Sequence, residues 1–211
     1  PKVPISNVFA MLEYAYKVGD FLPEGVVGVE SLQDLYEGLA LVLAKRVLDR
    51  GRQGFHRAYV SLEEQTSFVR GQMDLGRVAR APWETRIHCL YQEHTADIED
   101  NQILGWALFS AARSGLCTER TLPTVRQAFR KVRQCVSLEH KTASCCLGRL
   151  YHRLNQDYAP LHALCRFFLE STGPSHLAGE RSMLPFLIDM ALLFETFVAE
   201  WLRAHQSAEW A

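Results

Sequence analysis

The stretch "FHRAYVSLEEQTSFVRGQMDL" (residues 55–75) decides the fold, because its pattern differs from the helical sequence before it. Apolar and polar residues alternate in "FHRAYVSL" (55–62) and again in "TRIHCLY" (85–91), with turn residues between them. Alternation with a period of two predicts half-buried strands. We therefore expect a β-rich finger, or barrel-like insertion, at about residues 55–92, with three or four strands.

The sequence on both sides of this stretch has helical periodicity. Before it, apolar residues recur every three to four positions over 5–18 and 32–51. After it, the same spacing predicts a helical part over about 97–205, with helices at 97–115, 118–136, 161–172 and 183–205. The last of these helices carries one apolar stripe, formed by Leu187, Met190, Phe194, Phe197 and Trp201. The order α–α–β–α–α–α predicts a mostly helical α+β fold.

The composition is that of a globular protein. The chain has 211 residues, 48% of them hydrophobic and 22% charged, and no apolar run is as long as the roughly 18 residues of a membrane helix. The start does not have the pattern of a secretory signal. Six irregularly spaced cysteines do not form the pattern of a disulfide scaffold. We expect a cytoplasmic protein without a membrane partner.

Positive charge is concentrated in one block of an almost neutral chain. The formal net charge is −1, but residues 113–153 contain nine Lys or Arg and two Asp or Glu, a net of +7. Within the predicted helix 118–136, Arg126, Arg130 and Arg133 recur at helical spacing and form one ridge. This arginine ridge predicts contact with nucleic acid or an acidic partner, although an uneven surface charge remains an alternative.

Two patterns suggest metal chemistry. Glu139-His140-Lys141 has the Glu-x-Lys spacing of Mg²⁺-dependent nucleases, but it follows a basic helix instead of ending a hydrophobic strand. A zinc site could draw on Cys135, His140, Cys145, Cys146 and His152, but these residues lack two close ligand pairs. We favour a solvated loop and buried thiols, and we predict no catalytic residue and no metal site in this chain.

Four segments resemble the N-terminal part of the McrC family, whose members are the nuclease subunits of McrBC-type restriction systems. These segments are "VPISNVFAMLEYAY" (3–16), "GFHRAYVSLEEQTSFVRGQMD" (54–74), "YQEHTADIEDNQIL" (91–104), and the pair "DYAPLHALCRFFLEST" (157–172) with "LIDMALLFETFVAEWLRAH" (187–205). Their order and spacing carry the resemblance over nearly the whole chain. The chain departs from the family's pattern at Ser6, Gln72 and Gln102, where the family has arginine.

The resemblance implies a function in partner binding. The N-terminal region of the family docks as a finger on a hexameric AAA+ GTPase and stimulates its hydrolysis. A C-terminal PD-(D/E)xK nuclease domain, which uses Mg²⁺, cuts modified DNA. We expect residues 1–211 to be the N-terminal region alone, without that domain. The chain itself would then need no cofactor, because GTP or another NTP would bind to the partner. Contact with DNA would be made by the whole assembly.

The resemblance also implies which residues touch the partner. Arg70 and Gly71 are expected to shape a tight hairpin, with Asp74 pairing locally. Arg77 and Arg80 are expected to reach acidic or polar groups of the partner, because guanidinium groups bind carboxylates in a bidentate way. An internal ion pair between Arg70 and Asp74 remains an alternative.

Overall fold

The structure is a computed structural model that describes residues 5–16, 32–171 and 190–205. The described helices before the sheet are α1 (Ile5–Tyr16) and α2 (Leu32–Gln53). The sheet contains β1 (Ala58–Thr66), β2 (Gln72–Met73) and β3 (Ile87–Thr95), with the short helix α3 (Leu75–Arg80) between β2 and β3. After it come α4 (Glu99–Arg113), α5 (Leu122–Arg133), a 3-10 turn at Ala143–Cys146, α6 (Tyr158–Ser171) and α7 (Met190–His205).

The predicted α+β class is confirmed. The helices bury the apolar residues whose spacing predicted them, such as Leu35, Leu39 and Leu43 on α2. On α5, Val125 and Val132 are fully buried. The helices share one hydrophobic core, and its buried cluster includes no described residue between 56 and 102. The core therefore belongs to the helices, and the β-region lies outside it.

The β-region is a three-stranded antiparallel sheet with the order β1–β3–β2. Its first and third strands pair along their whole length, from Ala58 opposite Thr95 to Thr66 opposite Ile87. Nine residues of strand extend over about 26 Å. Residues 58–95, which we call the finger, therefore form a long hairpin whose base adjoins α2 and α4. The finger tip, which comprises residues 67–69 and 75–86, lies at the far end.

Some predicted boundaries and one apolar stripe were wrong. The sheet spans 58–95 instead of 55–92, and its second connection contains a helix, α3, that the alternation concealed. On α7, Met190, Phe194 and Trp201 are exposed by 38%, 56% and 42%, whereas Leu193 is buried. Phe197 is the half-buried member of this stripe, since α7 packs mainly on α1, where Phe197 contacts Tyr14 edge to face. Residues 183–189 of the predicted helix lie outside the described residues.

Candidate partner-binding finger

Asn101 holds together the two chain segments that enter and leave the finger. Its side-chain Nδ2 donates hydrogen bonds to the carbonyl of His56, just before β1, and to that of Ala96, just after β3, at 2.8 and 2.7 Å. Asn101 is fully buried in the first turn of α4. A single amide on the helical body therefore fixes the spacing of the two segments at the base of the finger.

Tyr158 of α6 forms a hydrogen bond with the side-chain amide of Asn101. Its hydroxyl donates to Oδ1 of Asn101 at 2.6 Å and accepts the backbone N–H of His56 at 2.9 Å. Arg50 of α2 lies over the Tyr158 ring, 5.1 Å from its centroid, and pairs with Asp157 at 3.4 Å. Residues of three helices, α2, α4 and α6, thus meet at the base of the finger, and the buried Asn101 and Tyr158 side chains pair with each other there.

A second polar contact secures the strand that leaves the finger. The Asp97 carboxylate accepts hydrogen bonds from the Ser137 backbone and hydroxyl, and from Nε2 of Gln102 at 2.9 Å. Burial alone would raise the pKa of Asp97, but these hydrogen bonds and the nearby Lys141 lower it below the usual value. Asp97 is therefore a charged anchor that ties the finger base to the loop after α5.

Below the base, a buried histidine joins α6 to α4. Nε2 of His162 lies 2.9 Å from the backbone carbonyl of Asp100, which can only accept, so Nε2 carries the proton. Nδ1 then accepts from the Tyr151 hydroxyl at 2.9 Å. Burial lowers the pKa of His162, which agrees with a neutral ring. The Asp100 side chain pairs with Arg149, whose guanidinium also reaches Glu99 at 2.8 Å.

The segment between β1 and β2 crosses the sheet over Cys89. The Cys89 thiol is fully buried and lies 3.5 Å from the backbone N of Arg70 and 3.7 Å from the Thr66 hydroxyl. Gly71 ends the crossing with φ +71°, and a Cβ there would lie 2.5 Å from the Leu90 carbonyl oxygen. Only glycine permits this turn and this approach at once. The tight turn expected at Gly71 is therefore present.

Arg70 lies against the sheet and does not pair with Asp74. Its guanidinium lies 4.0 Å from the centroid of the Tyr91 ring and 4.0 Å from the Glu93 carboxylate. The Tyr91 hydroxyl in turn donates to Glu64 at 2.8 Å. The ion pair left open as an alternative is thus absent, because Arg70 turns towards β3. Arg70 acts within the finger as a cross-strand contact.

Asp74 and Arg77 bind each other and stabilise α3. Asp74 caps this helix by accepting the backbone N–H of Arg77 at 3.1 Å, and it pairs with the Arg77 guanidinium at 3.4 Å. The same guanidinium reaches Glu63 at 3.6 Å and donates to Nδ1 of His88 at 2.9 Å. Asp74 therefore pairs locally, as expected. Arg77 already has three intramolecular partners, whereas the exposed Arg80 has no ion pair within the described residues.

The finger tip exposes large apolar side chains at the end of this braced hairpin. The exposed fractions are 77% for Trp83, 67% for Leu75, 66% for Phe68 and 56% for Val69. Large apolar side chains that are exposed on a protruding element are candidates for contact with a partner. The sequence patterns did not single out these residues. A signal was available, since Trp83 lies between Pro82 and Glu84 in a polar stretch that offers no apolar periodicity.

The arginine ridge lies on the helical body, on a different element from the finger. Arg126, Arg130 and Arg133 are all exposed on α5, as the spacing predicted. Only Arg133 has an intramolecular hydrogen bond among the described contacts, donating to the Val136 carbonyl at 2.9 Å. The structure therefore has two separate candidate binding surfaces, the finger tip and the arginine ridge.

The two patterns that suggested metal chemistry look different in three dimensions. Lys141 pairs with Glu139 at 2.9 Å, and neither residue follows a strand. Cys146 is half-buried, and burial raises the pKa of its thiol to about 12. Over residues 5–16, 32–171 and 190–205, no three His, Cys, Asp or Glu side chains form a group that could hold a metal ion.

Comparison with known families identifies the class of protein to which this fold and finger belong. The model of the family described as "McrBC 5-methylcytosine restriction system component" matches residues 6–211. The chain therefore belongs to this family and is a restriction-system component, and the predicted McrC-like identity is confirmed. Among curated proteins, none is significantly similar in sequence to this chain.

Solved structures share the fold. The chain is similar to a chain in the cryo-EM structure of the Thermococcus gammatolerans McrBC complex, with a TM-score of 0.60 and 21% identity over 92% of this chain. It is also similar to a chain in a half-complex from a tetradecameric assembly of T. gammatolerans McrB AAA+ hexamers with bound McrC, with a TM-score of 0.59 and 20% identity over 93% of this chain. The chain spans 56% and 45% of those chains, about half their length.

Among the described residues, no helix is long and apolar enough to cross a membrane.

Proposed function

We propose that this chain is the partner-binding region of an McrC-like subunit in a modification-dependent restriction system. The finger docks on a hexameric AAA+ NTPase, stimulates hydrolysis there, and holds a nuclease domain of the same subunit near DNA. Family membership supports the restriction system, and the solved assembly of McrB AAA+ hexamers with bound McrC supports the kind of partner.

One observation gives the main support for docking through the finger tip. The tip exposes Trp83, Phe68 and Leu75 by 66% to 77%, while the base of the same hairpin is fixed by the buried Asn101. An exposed aromatic residue on a rigid support loses little conformational entropy on binding. Tryptophan and arginine are also the residue types most enriched among the energetically dominant residues of interfaces. Trp83 and Arg80 are therefore the expected contacts.

The remaining predicted residues act from inside the finger. Arg77 orients α3 through Glu63, Asp74 and His88, so its loss would weaken docking by loosening the tip. A docked finger stimulates hydrolysis if it binds the hydrolysis-competent ring more tightly than the other states, because a ligand shifts an equilibrium only by its differential affinity.

The cofactors of this system are assigned to other parts of the assembly. GTP or another NTP binds to the AAA+ partner, and Mg²⁺ serves the expected nuclease domain. Within its described residues the chain offers no group of three metal ligands. The contribution proposed for this chain is binding to the partner.

NTP hydrolysis by the AAA+ protein of the same system, with increasing amounts of this chain, tests the proposal. An aromatic anchor contributes about 2 kcal/mol to an interface, which is about 30-fold in affinity. Trp83→Ala should therefore raise the concentration for half-maximal stimulation about 30-fold. Tyr59→Ala is the matched control, because Tyr59 is an aromatic residue of similar exposure, 71% against 77% for Trp83, but lies at the base.

The arginines provide a second arm of the same experiment. Arg80→Gln should weaken stimulation, whereas Arg153→Gln, which changes another exposed arginine, in the turn before α6, should not. Equal loss of stimulation in Trp83→Ala and Tyr59→Ala, or no stimulation by a folded wild-type chain, would refute docking through the tip.

A further inference from the structure

A second surface of this molecule combines arginines with half-buried aromatic rings. On α4, Trp106 packs against Phe109 with ring centroids 5.2 Å apart, and Phe109 contacts Phe129 of α5 at 5.7 Å. The His140 ring continues the row, 4.9 Å from Trp106. The row therefore crosses the junction of the two helices, and the sequence patterns gave no indication of it.

The ring contacts bring a fourth arginine to the arginine ridge. Arg113, at the end of α4, lies over Phe109 with its guanidinium carbon 5.3 Å from the ring centroid. Phe129, which also contacts Phe109, adjoins Arg130 in sequence and lies one helical turn from Arg126 and Arg133. Four guanidinium groups from two helices thus border one aromatic strip.

No acidic side chain neutralises these arginines within the described part of the chain. None of the four makes an ion pair there, in contrast to Arg77 and Arg149. The sequence around them contains two acids over residues 113–153, and one of these, Glu139, pairs with Lys141. The four arginines therefore give this surface an excess of positive charge.

The spacing of the ridge fits a regular polyanion. Along the helix axis Arg126 and Arg130 are separated by about 6 Å and Arg130 and Arg133 by about 4.5 Å. Duplex DNA carries a phosphate about every 3.4 Å along each strand, which arginine side chains of this spacing can reach. A protein surface usually mixes both signs of charge, whereas a DNA backbone is uniformly negative.

We propose that the arginine ridge with Arg113 is a binding site for the phosphate backbone of duplex DNA, independent of base sequence and methylation. The aromatic strip supports the site by holding Arg113 beside the ridge. This site goes beyond the docking function, since it lies on the helical body and needs none of the finger residues.

The salt dependence of DNA binding tests the proposal directly. The probe is a fluorescent 30-base-pair duplex of mixed sequence, with and without 5-methylcytosine, titrated with the chain from 50 to 200 mM salt. Four phosphate contacts, from the ridge and Arg113, predict a loss of affinity of about 150-fold over this fourfold change, and two contacts about 12-fold. The variant Arg126→Gln/Arg130→Gln should therefore fall from the first value to the second, with both duplexes behaving alike.

The control is a pair of exposed arginines elsewhere in the chain. Arg86→Gln/Arg153→Gln removes the same charge from residues outside α4 and α5, and it should retain the wild-type salt dependence. Equal salt dependence in both double variants, or no duplex binding by the folded chain at 50 mM salt, would overturn the proposal. Loss of NTPase stimulation in Arg126→Gln/Arg130→Gln without an effect on DNA would also overturn it, since the ridge would then face the AAA+ ring.

Discussion

Replacing Asn101 with alanine removes the amide that joins the two ends of the finger to the helical body. The substitution deletes two donated hydrogen bonds, to the His56 and Ala96 carbonyls, and the acceptor of the Tyr158 hydroxyl. All three lost partners lie at the base of the finger, where Asn101 itself is fully buried. The change therefore acts on the attachment of the finger and leaves its tip intact.

The size of the effect follows from the number of groups left unpaired. A buried polar group without a partner costs about 1–3 kcal/mol, and water can reach the carbonyl of the half-buried His56. We therefore expect Asn101→Ala to lower the free energy of unfolding by about 3–5 kcal/mol. Gln102→Ala is the matched control, since Gln102 follows on the same helix and makes one hydrogen bond, to Asp97. It should lose about 1 kcal/mol.

Urea denaturation followed by circular dichroism measures both values, and a double-mutant cycle identifies the cause. Tyr158→Phe removes the hydroxyl that Asn101 accepts, so the double variant should cost about 1 kcal/mol less than the sum of the single changes. Amide hydrogen exchange should show faster opening of β1 and β3 in Asn101→Ala. A loss no larger than that of Gln102→Ala, or an additive cycle, would refute the assignment of Asn101 as the clamp of the finger.

Three further changes test other parts of the structure. Gly71→Ala should destabilise the finger by about 3 kcal/mol or more, because the new Cβ would clash with the β3 backbone and the positive φ is unfavourable for alanine. Gly54→Ala is the control, since Gly54 has φ +97° but open space around its Cβ, and it should cost about 1–2 kcal/mol in a urea titration. Arg149→Met should cost about 3 kcal/mol in thermal or chemical unfolding, because it leaves the carboxylate of Asp100 buried without its cation; an unchanged stability would contradict the buried pair. Burial holds the pKa of His162 below its usual 6.5, so the unfolded chain takes up a proton that the folded chain does not. The free energy of unfolding should therefore fall as the pH drops below 6.5, by up to about 1.4 kcal/mol per pH unit, and His162→Gln should flatten that slope; an equal slope in the variant would exclude this histidine as the cause.

The class of the fold was predictable because burial leaves a period in the sequence. Helix α2 and helix α5 bury the leucines and valines whose spacing predicted them, and the alternation around β1 and β3 marked a half-exposed sheet. The exposure of the arginine ridge followed from the same rule, since Arg126 and its neighbours are offset from the buried valines of α5. Periodicity reports which side of an element faces the core, and it does so without knowledge of the partner element.

Local turn chemistry was only partly predictable. The requirement for Gly71 in a tight turn could be expected, but the alternation concealed α3, whose six residues bury no side chain and leave no apolar period. The sequence also could not decide which residue Arg70 pairs with. Asp74 is close to Arg70 in sequence, whereas Glu93 and Tyr91 come close only after β3 has paired with the rest of the sheet. A long side chain pairs with residues that the fold brings near it, and these residues can be far apart in the sequence.

The sequence by itself determined the α+β class, the existence of a finger between two groups of helices, and the resemblance to the McrC family. Only the tertiary structure decided which polar residues carry that arrangement. Asn101 became a clamp because α4 and α6 converge on both ends of one hairpin, and Arg113 joined the ridge because Phe109 meets Phe129. The physical reason is that periodic burial is written along the chain, whereas hydrogen bonds and charge clusters depend on contacts between residues far apart in sequence.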